Sequence, residues 1–396
     1  MGFSNRFFRA LELPEFDSNH IKKLSKETGV SVSRLRYYND NNILPSGDDL
    51  SKVLSSSRCS EVELSLKMGI ISGKIAEKIS QNASVISDII DLNTEEISTK
   101  GKGYSKEFCT NLGDLYRGDC LEVLSTIENA SVDLVFADPP FNLNKLYPSE
   151  MDDNLAAEKY ISWTESWIQE CVRVLKPGGA LFIWNLPKWN THFAHFLNGR
   201  MSFRHWIAVD IKYGMPVSGR LYPSHYSLLY YVNGSKPKAF SPDRMPMATC
   251  QTCFSELKDY GGYKSKMNPA GISLTDVWAD IPPVRHARYK RRKGANELSL
   301  KLLDRVIEMA SSEGDLVLDP FGGSGTTYVA AELKKRRWIG CELGPVDEIV
   351  DRFTMLDLEA EIINDFRDGI NSLFPSFVER NRKKRGLWTA DSFLTE

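Results

Sequence analysis

From about residue 110 onward, short apolar runs alternate with segments of helical period. Val132-Asp133-Leu134-Val135-Phe136-Ala137 reads as a buried strand, as do Ala180-Leu181-Phe182-Ile183-Trp184, Tyr226 to Val232, Asp315-Leu316-Val317-Leu318 and Arg337-Trp338-Ile339-Gly340-Cys341. Between them, Tyr160, Ile161, Trp167, Ile168, Cys171, Val172 and Leu175 fall on one helical face, and Tyr328, Ala330, Ala331 and Leu333 mark another helix. Strands alternating with helices predict an α/β fold. The first hundred residues read differently. Residues 21–38 are helix, glycine turn, helix: Ile21, Leu24 and Val30 would face Leu35, and Ser31 is placed to cap the second helix. Leu64, Leu66, Ile70, Ile75 and Ile79 continue a helical unit toward residue 92.

The strand ends carry the chemistry. The run to Ala137 stops at Asp138-Pro139-Pro140-Phe141. Two prolines fix φ and remove two backbone N–H groups, so this stiff turn offers a carboxylate, carbonyls and an exposed ring where open α/β sheets place their sites. Such a set suits a flat molecule bearing an NH2. A plain strand-end turn accounts for the tetrapeptide equally well. The strand to Leu318 runs into Asp319-Pro320-Phe321-Gly322-Gly323-Ser324-Gly325-Thr326-Thr327, a glycine-rich turn before a helix. It has neither the Gly-Lys-Ser/Thr of a phosphate loop nor the dinucleotide glycine spacing. The next strand ends at Glu342, an acid placed to grip a ribose diol. Together these point to a nucleoside cofactor without a phosphate chain.

The two motifs resemble the amino-group DNA methyltransferases that use S-adenosylmethionine, with the catalytic motif ahead of the cofactor motif as in their beta subgroup. The resemblance covers roughly residues 110 to 345. It implies a Rossmann-like sheet of permuted motif order and S-adenosyl-L-methionine as cofactor. Asp138, Pro139, Pro140 and Phe141 would serve the target base. Asp319, Phe321, Gly322, Gly323, Ser324, Gly325, Thr326, Thr327 and Glu342 would serve the cofactor, joined by Asp119, because Gly118-Asp119 resembles the family's element near the cofactor adenine. Val174 to Gly179 resembles the family's helix-to-strand turn. Asn296 to Leu303 resembles the start of its helix beside the cofactor's methionine end, although His-Pro-Thr-Gln-Lys-Pro is absent there. By position, the irregular stretch 233–276 resembles the target-recognition region. Thr28-Gly29-Val30-Ser31, Leu35-Arg36-Tyr37-Tyr38 and Ile43-Leu44-Pro45 resemble the opening of mercury-resistance-type regulators, so Arg34 and Arg36 are DNA-binding candidates.

Composition then sets limits. With 396 residues, 42% hydrophobic, the chain can bury a large core and hold several domains. We expect a helical domain with linker over 1–100 and a methyltransferase domain over 110–396, with residues 93–109 read as polar linker. No apolar run is long enough for a membrane helix and no signal-peptide pattern opens the chain, so a cytoplasmic protein with no membrane partner is expected. The seven cysteines suit a reducing compartment. Cys250-Gln251-Thr252-Cys253 is half a zinc site without a second pair, so no metal is assigned. The basic run Arg285 to Lys293 makes Arg288, Arg291 and Arg292 candidates for a phosphate track, whereas Arg380 to Arg385 reads as a flexible basic tail. Residues 142–150 read as a loop that closes on substrate.

The resemblance implies a site-specific enzyme that methylates the N6 of adenine in duplex DNA after base flipping, with a restriction endonuclease as possible counterpart. The N4 of cytosine is the alternative amine. A regulator whose methyltransferase half only senses cofactor is an alternative of another class. Carbon-5 cytosine methylation would need a nucleophilic cysteine, and no cysteine here stands in the required Pro-Cys context.

Overall fold

A computed structural model describes residues 6–13, 18–41, 43–57, 59–92, 103–143, 154–210, 218–219, 221, 224–257, 267–282 and 297–393. They form two compact units, residues 1–100 with 156–159, and the remainder. The closing loop expected beyond Leu143, most of the linker, the basic run with Arg288, Arg291 and Arg292, and Asn296 lie outside the described residues.

The first unit is helical: α1 Arg6–Ala10, α2 Ser18–Thr28, α3 Val32–Asp40, α4 Gly47–Ser57, α5 Glu61–Lys67, α6 Gly73–Gln81 and α7 Ala83–Leu92. Gly29 takes φ 66°, which lets the chain turn from α2 into α3. Ser31 caps α3 by accepting the Arg34 N–H at 3.3 Å. Ile21, Leu24, Val30 and Leu35 close one core with Phe7, Phe8, Tyr38 and Val53. Leu66 departs from the apolar period: it is exposed, while Leu64 two residues earlier is fully buried.

The second unit contains β1 Ser105–Cys109, β2 Gly113–Arg117, α8 Cys120–Ser125, β3 Val132–Ala137, α9 Ala157–Val174 from Tyr160 onward, β4 Leu175–Asn185, α10 Pro187–Asn198, β5 Ser202–Asp210, β6 His225–Val232, β7 Arg244–Met245, β8 Ile272–Ser273, β9 Val277–Trp278, α11 Leu300–Ala310, β10 Leu316–Asp319, α12 Thr326–Leu333, β11 Arg337–Glu342, α13 Asp347–Phe353, α14 Leu356–Arg367 and α15 Ser376–Lys384. Nine strands make one sheet in the order β1-β2-β11-β10-β3-β4-β6-β5-β9. Strands β2, β11, β10, β3 and β4 run parallel, and β1, β6 and β5 add antiparallel partners. Two expectations are corrected. Residues 105–109 are an edge strand on β2, not linker. Residues 380–384 are helix, and Arg382 is buried within it, donating to the carbonyls of Trp388 and Phe254.

Strand β3 is buried on both faces, as a parallel strand between helical layers must be. Its one acid, Asp133, would be pushed up by burial, but the Leu316 N–H at 3.0 Å and the ammoniums of Lys176 and Lys238 at 2.7 Å hold it below its usual range. The functional geometry follows from strand order. The chain leaves β10 through α12 to β11 on one side, while β3 and β4 lie on the other. The crevice above β10 is therefore a topological switch point, and it brings the ends of β3, β10 and β11 side by side.

Candidate active site

Asp138 follows the last residue of β3, and Asp319 ends the neighbouring strand β10. The turn beyond Asp138 is held by side chains from distant elements. The Tyr160 hydroxyl donates to the Pro140 carbonyl at 2.6 Å and accepts from Asn185 Nδ2 at 3.1 Å. The Trp189 indole N–H donates to the Phe141 carbonyl at 2.8 Å. Those two carbonyls are committed within the fold; the turn also carries the Asp138 carboxylate and the backbone carbonyls of Asp138 and Pro139. Phe141 departs from expectation. Its ring is only 7% exposed and packs 5.9 Å from Tyr226, so in this conformation it is core rather than an open stacking platform.

The glycine-rich turn is shaped from inside. Asp319 accepts the Phe321 N–H at 2.9 Å and the Thr327 hydroxyl at 2.5 Å, which fixes the turn to the strand it leaves. Gly325 has φ 73°, and a Cβ there would meet Ile349 Cγ2 at 2.7 Å. Contrary to expectation, Ser324, Thr326 and Thr327 do not face a ligand: their side chains are buried. The exposed part is the backbone at Gly323, whose N–H donates to Glu342 Oε2 at 2.8 Å. Glu342 Oε1 accepts the Gly344 N–H at 2.8 Å. Phe321 rests edge-on against Trp167 at 5.0 Å, which places both α9 tryptophans in packing roles.

Asp119 caps α8, with Oδ1 on the Leu121 N–H at 2.8 Å, and Gly118 donates to the Glu342 carbonyl at 3.0 Å. Asp119, Asp319, Glu342 and Asp138 thus gather at one sheet edge. Burial pushes Asp319 well up; the Thr327 and Phe321 hydrogen bonds oppose this, and the charges of Asp138 and Glu342 reinforce it. Burial also raises Glu342 against the backbone N–H groups of Gly344, Gly323 and Leu343. An acid-rich crevice of this kind suits a ligand that is cationic and rich in hydroxyl and amine donors.

Some supporting residues carried no sequence signal. Arg352 is 1% exposed, pairs with Glu359 at 2.8 Å, and donates to the Ser324 carbonyl at 3.1 Å and Thr326 Oγ1 at 2.7 Å. It clamps the glycine-rich turn from behind. Asp280, just after β9, takes both guanidinium nitrogens of buried Arg305 at 2.9 and 2.6 Å, and Lys301 at 2.7 Å. Burial works against this carboxylate, but the cations hold it far below its usual range. The pair anchors the chain to α11, whose preceding Leu298 carbonyl accepts the Thr326 hydroxyl at 3.3 Å. Of the remaining candidates, Arg34 is ion-paired to Asp49 at 2.8 Å and Arg36 is exposed. Cys250 and Cys253 share a turn; among the described residues no group of three or more His, Cys, Asp or Glu could hold a metal ion. No described helix is long and apolar enough to cross a membrane.

With this geometry in view, residues 132–349 match the DNA methylase model of the N6/N4 methyltransferases. The chain is 45% identical, over 98% of its length and 94% of that protein, to the type II methyltransferase M.BamHI of Bacillus amyloliquefaciens. It belongs to the N6/N4 DNA methylase family. The matched span of this DNA methyltransferase contains both strand-end motifs and Glu342. The methylase is also 31% identical to the DNA adenine methyltransferase YhdJ of Escherichia coli K12, over 58% of this chain and 78% of that one. Among solved structures, a cytosine-N4-specific PvuII DNA methyltransferase aligns with TM-score 0.45 at 20% identity, covering 67% of this chain and 97% of that chain. A putative DNA modification methylase from Thermus thermophilus, complexed with S-adenosyl-L-methionine, aligns with TM-score 0.43 at 23% identity, covering 61% of this chain and 93% of that one.

Proposed function

We propose that this methylase transfers a methyl group from S-adenosylmethionine to the exocyclic N6 of adenine in double-stranded DNA, as the modifying half of a type II restriction-modification pair. The observation that carries this reading is the juxtaposition of Asp138, after β3, with the glycine-rich turn and Glu342 at the neighbouring strand ends. The residues fit the cofactor: Gly323 offers exposed backbone, Glu342 a half-buried carboxylate, and the crevice is acidic. When bound, the cofactor supplies an electrophilic methyl on a sulfonium. Glu342 would hold its ribose hydroxyls, Asp119 would lie near its adenine, and the turn backbone would face its chain.

An exocyclic amine is a poor nucleophile because its lone pair is conjugated into the ring. Asp138 and the Pro139 carbonyl would take the amine hydrogens and favour a pyramidal nitrogen whose lone pair is available. Tyr160 and Trp189 keep the turn rigid, so positioning and electrostatics supply the rate. The base must leave the duplex to reach this edge. Asp138, a carboxylate where the family's cytosine enzymes mostly carry serine, supports adenine. The burial of Phe141 beneath Tyr226 favours the smaller ring, so cytosine N4 stands as the second reading. Nucleoside analysis of DNA methylated by the purified protein separates the two.

In the same reading, α3 contacts DNA phosphates through Arg34 and Arg36. Arg36→Ala in the full-length protein is the cleaner variant, because Arg34→Ala also strips a partner from Asp49. It should weaken binding about equally for all sequences and lower the log–log salt slope by about 1. An unchanged slope in a titration across salt would make this unit a protein-interaction module instead.

A further inference from the structure

Cys250 and Cys253 take no part in this chemistry, yet they are brought together in a defined turn. The Phe254 N–H closes on the Cys250 carbonyl at 2.9 Å, and the Cys253 N–H points at the Cys250 sulfur at 3.5 Å. Phe254, at φ 57°, ends the turn in the left-handed region. Helix α15 holds it from outside: Arg382 donates to the Phe254 carbonyl, Arg385 to the Cys253 carbonyl at 3.0 Å, and the Arg385 guanidinium lies 5.4 Å from the Phe254 ring centroid. Residues three apart on one such turn share a face. Neither thiol is buried, whereas Cys120, Cys171 and Cys341 are, and burial pushes those three thiols up. Cys253 moves the other way. The Ser255 hydroxyl 2.9 Å from its sulfur, backbone N–H groups of Ser255 and Glu256, and the Cys250 side chain pull it down to about 7.

We propose that Cys250 and Cys253 form a redox-active dithiol that small hydroperoxides oxidise to an intrachain disulfide. The Cys253 thiolate attacks one oxygen of hydrogen peroxide. The O–O bond breaks, and hydroxide leaves with the proton Cys253 has lost, giving a sulfenic acid and water. The Cys250 thiol then attacks the Cys253 sulfur. The S–O bond breaks, the S–S bond forms, and the Cys250 proton departs with the hydroxyl as a second water. Two thiols are oxidised and one peroxide is reduced. The site is independent of the methyl-transfer reading.

The test uses the full-length reduced protein, titrated with hydrogen peroxide, quenched with N-ethylmaleimide and mapped by mass spectrometry. The peptide carrying both cysteines should lose two hydrogens at doses that leave exposed Cys109 alkylatable. In Cys250→Ser, Cys253 should stop at a sulfenic acid that dimedone traps. Phenylarsine oxide should block both thiols together. At pH 7 iodoacetamide should alkylate Cys253 roughly threefold faster than an ordinary thiol, since about half is thiolate against roughly 3%, partly offset by lower nucleophilicity. Oxidation of Cys109 at the same doses, a chain-to-chain disulfide as the main product, or stoichiometric zinc held by these thiols would overturn the proposal.

Discussion

Asp138→Ala should lower the single-turnover rate of methyl transfer by about 10²–10³, the usual consequence of removing one preorganised electrostatic partner of a reacting group. Cofactor affinity measured by calorimetry should stay nearly unchanged, because in the proposed mechanism this carboxylate serves the base rather than the cofactor. Glu342→Ala should behave in the opposite way. Its carboxylate sits on the Gly323 and Gly344 N–H groups beside the glycine-rich turn, and its loss should weaken cofactor binding by about 1–3 kcal/mol. Cofactor binding lost in the Asp138 variant, or an unchanged dissociation constant in the Glu342 variant, would reverse the two assignments.

Arg352→Ala should cost about 3–5 kcal/mol of stability, because it breaks a buried ion pair by removing the guanidinium from the buried Glu359 carboxylate. Thr326 Oγ1 and the Ser324 carbonyl lose a donor as well, so the glycine-rich turn should loosen and cofactor affinity fall with it. Replacing the pair together, Arg352→Met with Glu359→Leu, should restore much of the stability but not the hold on the turn. That split, read by urea denaturation beside cofactor titration, separates charge burial from turn positioning. A loss below about 1 kcal/mol in the single variant, the range of a solvent-screened pair, would mean that water reaches the pair.

Strands β3, β10 and β11 were legible because both faces of a central parallel strand are buried and its sequence becomes an apolar run. Their terminal acids followed, since each run stops at its acid. The α2–α3 turn was legible for a local reason: the Gly29 φ and the Ser31 cap are satisfied within a few residues. The features that were not legible depend on distant partners. The Phe141 ring packs against Tyr226, and its carbonyl is taken by the α10 indole of Trp189, which lies 48 residues away. Ser324 and Thr326 turn inward toward Arg352, which lies 28 and 26 residues further along the chain. Strand β1 hides because Ser105–Cys109 is a largely exposed edge strand with no apolar stripe. In α15 the basic composition concealed Arg382, whose charge is covered by carbonyls and by the Phe374 ring.

Amine methylation of DNA by this chain is read out by nucleoside analysis. Unmethylated duplex DNA would be incubated with the purified full-length protein and isotope-labelled S-adenosylmethionine, digested to nucleosides and analysed by mass spectrometry, with Asp138→Ala in parallel. Labelled N6-methyladenine should appear with the wild-type protein and none with the variant over the same short incubation. Labelled N4-methylcytosine in its place would move the target to the second reading with the site unchanged. Label on carbon 5 of cytosine, or full labelling by the Asp138 variant, would rule out amine methylation assisted by Asp138.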